Sequence, residues 1–189
     1  MLDSIDIDKE TIMKKILLGL LVLVIIGAGI LFGMNGKSKY DADKYHLKIT
    51  PTSKPFGIGS SIDYILPDQF DKVHKISTTT KRLIFVFTKS TGHTIKAFMA
   101  DKPKDYLIKR EAVVIADISG MPVIIQNTFA LPDFRKSDYP MVLIYDKNMA
   151  KRLKENQQSD KIIVMTLENK KVIKVEHASS EEELGKILK

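Results

Sequence analysis

The chain has 189 residues, no cysteine and a formal net charge of +7, with 44% hydrophobic and 28% charged residues. The missing thiols exclude disulfides, thiolate metal sites, iron–sulfur clusters and cysteine nucleophiles together. The apolar and charged fractions are those of a globular chain with an ordinary core. From Lys37 onward 27 basic residues face 19 acidic ones. Such a surface suits nucleic acid, an anionic membrane face or acidic partners, or is a solvated lysine face.

In chain order, the first element is apolar. Residues 16–34, ILLGLLVLVIIGAGILFGM, carry no charge. At about 1.5 Å per residue they reach about 28 Å, enough to cross a bilayer core. The run has no polar face, which a buried soluble helix would show. No small-x-small cleavage site follows it, so it reads as an uncleaved anchor. The expected organisation is a short cytoplasmic tail over 1–15, a transmembrane anchor over 16–35, a linker over 36–58 and a domain over 59–189. Lys14 and Lys15 before the span favour a cytoplasmic N-terminus. Lys37, Lys39, Lys44 and Lys48 after it favour the reverse, but long domains are exported largely regardless of such counts. The expected placement is a single pass in the inner cell membrane, with the domain extracytoplasmic or periplasmic.

The linker mixes charge, prolines and glycines without an apolar period. Tyr40, Tyr45 and Leu47 are its residues able to dock on the domain. Strands are expected over 62–66, 83–87 (LIFVF), 112–116 (AVVIA), 141–145 (MVLIY), 162–167 (IIVMTL) and 172–176 (VIKVE). Continuous apolar runs belong to strands covered on both faces. The last two flank Glu168 to Lys171, a hairpin turn. Helices are expected around Ile95, Phe98 and Met99, over Lys104 to Arg110, over Met149 to Asn156, and after Ser180. There Ser180 and Glu183 form a capping box, and Leu184, Ile187 and Leu188 an apolar stripe. The fold class is α/β, a mixed central sheet flanked by helices.

Residues from about Gly59 onward resemble the thioredoxin-like fold, in its membrane-anchored redoxin branch. ILPDQFDKVHKI, Ile65 to Ile76, is similar to the opening hairpin of redoxins. LIFVFTKSTGHTIKAF is similar to their strand, active-site turn and first helix. AVVIADIS is similar to the following parallel strand. SDYPMVLIYD is similar to the segment where the family places a cis-proline before an apolar strand. The terminal hairpin and helix also match. Asn148 to Lys161 is an insertion in that pattern.

The resemblance places both family cysteines on Thr91 and Thr94, as TGHT in place of CGHC. Neither hydroxyl forms or exchanges a disulfide. Three readings of the turn follow. Thr91 or Thr94 caps the helix while His93 sits exposed. Alternatively Thr91, Gly92, His93 and Thr94 face Tyr139 and Pro140 across the family's groove. That arrangement is a peptide-binding lip working by strand addition. In the third, the helix N-terminus and a threonine hydroxyl hold a thiol or anionic ligand. A preceding proline at a strand start is also ordinary without a cis bond.

The four histidines lack metal-ligand spacing, and no metal or other cofactor is expected. Gly57 to Ser61 lacks the lysine and strand–helix frame of a phosphate loop. No G-x-S-x-G occurs. Asp117 and Asp146 end apolar strands as caps or turn formers, or face a cleft. The lysines are dispersed and only 7% of residues are aromatic, which argues against nucleic acid. The expected function is a membrane-anchored, redox-inactive thioredoxin-like domain binding a peptide or protein partner. The alternative is an enzyme or carrier binding a small ligand at Thr91 to Thr94.

Overall fold

The computed structural model describes residues 9–36, 38 and 40–189. The expected tail therefore enters the description only at Lys9. Lys37 and Lys39 of the lysine flank lie outside the described residues. The described chain falls into two units, one ending at Ser38 and the other running from Lys39 to Lys189.

The first unit is helix α1 (Lys9–Asn35). Its stretch from Lys9 to Ile30 is long and apolar enough to cross a membrane, and none of it is buried in protein. Leucines such as Leu17, Leu21 and Leu23 are exposed. A helix apolar on all sides needs an apolar solvent, which supports membrane association.

In the second unit eight strands form one sheet in the order β1-β2-β8-β7-β4-β5-β6, with β3 paired to β2. The strands are β1 (His46–Thr50), β2 (Ser61–Pro67), β3 (Val73–Lys75), β4 (Arg82–Val86), β5 (Ala112–Asp117), β6 (Met141–Ile144), β7 (Ile162–Glu168) and β8 (Lys171–Ala178). The helices are α2 (Lys89–Ala100), α3 (Val123–Ile125), a π turn (Gln126–Ala130), α4 (Leu131–Phe134), α5 (Lys147–Lys154) and α6 (Glu181–Ile187). Strands β4, β5 and β6 run parallel, while β7 and β8 return antiparallel.

The apolar runs are continuous because alternate residues serve two cores. Ile84, Val86, Val114 and Leu143 pack with α2, α4 and α6. Leu83, Phe85, Ile115 and Val142 pack with α5 and the N-terminal strands.

Two expectations change. Residues 36–58 are largely not a linker. Strand β1 pairs antiparallel with β2, and Tyr45, Ile49 and Phe56 are buried. Arg152 of α5 donates to the carbonyls of Pro51, Thr52 and Lys54, and Gln157 donates to that of Phe56 at 2.7 Å. This segment covers the second core. The other change concerns MVLIY. Its strand β6 lies parallel to β5 at the sheet edge. The strand antiparallel to β4 is β7, preceded by Asp160 and Lys161 rather than by a proline. The stretch expected as an insertion supplies α5, whose Ala150 and Leu153 are core residues.

The opening hairpin is present as β2 and β3. Its turn is locked by Gln69, which is fully buried. The Gln69 amide donates to the Tyr139 carbonyl at 2.9 Å, and its oxygen accepts from the Met141 N–H at 2.8 Å. Gln69 thereby satisfies backbone groups at the start of β6 that the sheet edge leaves unpaired.

Candidate functional site

The carboxyl ends of β4, β5 and β6 lie along one edge, where open parallel sheets place their ligands. After β4 the chain turns at Phe87 and Thr88 into α2. Thr88 is the N-cap, in extended conformation, and its side chain accepts from the Thr91 N–H at 3.2 Å. Thr91 Oγ1 in turn accepts from the Thr88 N–H at 3.1 Å and donates to the Thr88 carbonyl at 3.0 Å. This is a capping box built from two threonines, with the second in the place usually held by glutamate. Thr91 is buried.

TGHT is therefore not a turn ahead of the helix, because the helix begins at Lys89. Thr91 sits in its third position. Thr94 Oγ1 donates to the Ser90 carbonyl at 3.2 Å. Both hydroxyl protons of TGHT are spent on the backbone, which leaves neither threonine free to donate to a ligand. Gly92 and His93 remain at the surface, Gly92 half-buried and His93 exposed. A Cβ on Gly92 would meet open space, so packing does not require glycine there.

Tyr139 and Pro140 are not brought to this edge. They precede β6, whose first residue, Met141, pairs with Val114, which in turn pairs with Ile84. That position lies toward the amino end of β4, while Thr91 follows its carboxyl end. Tyr139 is buried, and its carbonyl is occupied by Gln69. Burial also pushes its phenol pKa up. Among the described residues the cis peptide bond is Thr50–Pro51, and Tyr139–Pro140 is trans. The six expected residues thus separate into four at the start of α2 and two at the far end of β6.

What does stand beside α2 is the irregular crossover after β5. Lys96 of α2 forms an ion pair with Asp133 of α4 at 2.8 Å. The hydrogen bond from Lys96 holds the Asp133 carboxyl below its usual range. One turn above Lys96 is Gly92, and one turn above Asp133 is Phe129. Phe129 is 64% exposed and Ile125 is 40% exposed. The intervening residues form the π turn, a distortion frequent at functional sites. Gln126 holds it in place, donating to the carbonyls of Ile118 and Met121 at 3.0 and 2.9 Å. The apolar residues of PVIIQNTFALPDF follow no single period, so the sequence marks no regular helix there.

The ends of β5 and β6 carry charge instead. Asp117 accepts from the Ser119 N–H and hydroxyl with one oxygen and from Lys154 Nζ at 2.8 Å with the other. Its side chain is 4% exposed, so it is a fixed structural pair rather than an acid in a cleft. Asp146 caps α5 by accepting from the Asn148 and Met149 N–H groups. Between α5 and the Ser119–Gly120 turn lies an open groove of about 700 Å³, lined also by Lys147, Lys151, Arg152 and Lys154. Among the described residues no group of three potential ligands is placed to hold a metal ion.

No protein-family model matches the sequence, and no curated protein matches it. Among solved structures the chain is similar to a peroxidoxin from Mycobacterium tuberculosis, at 16% identity over 70% of this chain and 94% of that one, with a TM-score of 0.47. It is similar to the thioredoxin domain of a thiol-disulfide oxidoreductase from Bacteroides vulgatus, at 14% identity over 71% and 99% of the two chains, TM-score 0.44. It is also similar to a thioredoxin-like protein from Porphyromonas gingivalis, at 17% identity over 66% and 86%, TM-score 0.44. The order of its own elements, β4–α2–β5 followed by β7–β8–α6, is thioredoxin-like, with β6 and α5 as an added edge strand and helix.

Proposed function

We propose that this chain is a membrane-anchored, redox-inactive thioredoxin-like domain that binds a peptide or protein partner on the extracytoplasmic side. The observation that carries the reading is the state of TGHT. The Thr91 hydroxyl closes a helix cap, the Thr94 hydroxyl is bonded to the Ser90 carbonyl, the chain holds no thiol, and the crossover tied to α2 by the Lys96–Asp133 ion pair exposes Phe129 and Ile125. Exposed apolar side chains grouped on one segment mark an interaction site more readily than a catalytic one. The pairing of Thr91 with Thr88 removes the hydroxyl that a small thiol or anionic ligand would need.

The partner surface consists of Gly92, His93, Ile125 and Phe129. Tyr139 and Pro140 take no part in it, since Gln69 binds their segment to the opening hairpin. The test is a photo-crosslinking residue at His93, illuminated in intact membranes. A discrete protein adduct is expected. No adduct, with the domain folded and facing the extracytoplasmic side, overturns the reading.

A further inference from the structure

The chain enters the second unit beside α5. Tyr40 stacks on Tyr145, with ring centroids 5.4 Å apart, and on Tyr45 at 5.8 Å. Its hydroxyl lies 3.9 Å from Met149 Sδ of α5. Burial, with Asp71 nearby, pushes the Tyr145 phenol up to about 12, and burial also raises that of Tyr40. In sequence only residues 36–39 separate Tyr40 from the last residue of α1.

The same end of the domain is basic. Helix α5, KNMAKRLK, has four cations and no carboxylate. Two are committed, Arg152 to Glu155 and the 51–54 carbonyls, and Lys154 to Asp117. Lys147 and Lys151 are exposed and line the groove. Lys48 of β1 borders the other side of α5, in a second open groove that also reaches Asn148 and Arg152. Besides Glu155 and Asp117, which are paired with Arg152 and Lys154, the carboxylates at this end are Asp41, Asp43 and Asp146, with Asp71 and Asp68 near Tyr145. Asp41 and Asp146 accept backbone N–H groups.

We propose that the α5 face, through Lys48, Lys147 and Lys151, docks on the anionic phospholipid surface of the membrane that holds α1. The supporting facts are charge complementarity and the short stretch of chain between the anchor and the α5 end. Basic residues held near a membrane surface are drawn to anionic headgroups within about a Debye length. The proposal rests on the anchor and not on the partner surface at α2, so either can fail without the other.

The absence of cysteine makes the test clean. Full-length chain with Asn148→Cys carries one fluorophore at the groove, and Thr78→Cys carries one ahead of β4. Each is reconstituted in phosphatidylcholine vesicles, with and without phosphatidylglycerol, that contain a headgroup-linked quencher. Flotation confirms insertion. Quenching at Asn148→Cys is expected to rise with phosphatidylglycerol while Thr78→Cys does not change. The rise is expected to be lost in K147E/K151E, in K147Q/K151Q and at high salt. Equal quenching of Asn148→Cys in both lipids overturns the proposal. So does a rise that survives K147Q/K151Q in a domain with unchanged circular dichroism.

Discussion

Helices α2 and α5 start from equivalent places, each at the carboxyl end of a parallel strand, yet they present opposite surfaces. At α2 the cap is neutral and closed, Thr88 and Thr91 satisfying one another, and the neighbouring crossover carries exposed Phe129 and Ile125 as well as the Lys96–Asp133 ion pair. At α5 the cap is the Asp146 carboxylate, and the helix it opens carries four cations. The fold supplies both positions, and side chains alone decide what each can do. The chemistry at α2 is that of a capped helix.

The largest effect is expected at Asp117, whose carboxylate joins the end of β5 to the end of α5. Asp117→Ala leaves Lys154 unpaired and the Ser119 N–H without its acceptor. A loss of about 2 kcal/mol in denaturant-measured stability is expected, discounted because Lys154 is 35% exposed. A loss below about 0.5 kcal/mol would show that the pair is solvent-screened and the groove wall mobile.

At α2 the cap itself comes next. Thr88→Ala should cost about 1 kcal/mol, and Thr91→Ala should cost a similar amount. The double variant should lose less than the sum, because the two side chains form one unit. Full additivity in the same denaturation series would contradict a reciprocal cap. Gly92→Ala separates stability from binding. Its new Cβ meets open space, so the helix should gain roughly 0.5–1 kcal/mol. Capture of a partner at His93 should fall if the partner approaches the backbone at Gly92.

The smallest effect is one of pH. Burial and the nearby Lys161 lower the His177 pKa, with Asp160 opposing. The folded state therefore favours neutral imidazole. Its stability contribution is full above the ordinary histidine value of about 6.5 and is lost as pH falls through the lower folded value. His177→Gln should flatten that acid limb of the stability profile. An acid limb unchanged in His177→Gln would contradict this assignment.

Much of the sheet was legible because each apolar run serves both cores. LIFVF, AVVIA and IIVMTL had to be covered strands whatever their order. The direction of MVLIY was not legible, since a proline ahead of an apolar strand fits a parallel edge strand as well as an antiparallel inner one. The N-terminal strand was hidden because Tyr45, Ile49 and Phe56 are scattered through polar residues and form a surface only after Arg152 and Gln157 gather them. At the start of α2, a helix following the LIFVF strand was readable. Its reciprocal threonine cap was not, because Thr88-x-x-Thr91 lacks the glutamate that signals a capping box. Phe129 escaped notice because a π turn breaks the helical period that would have marked it as exposed.

The most direct test places a photo-crosslinking residue at Phe129 in one full-length chain and at Asn148 in another, and illuminates both in the same native membranes. The account expects a discrete protein adduct from Phe129 and lipid-sized adducts from Asn148. A protein adduct from Asn148 with none from Phe129 would contradict it, and would assign partner binding to the basic helix rather than to the capped one.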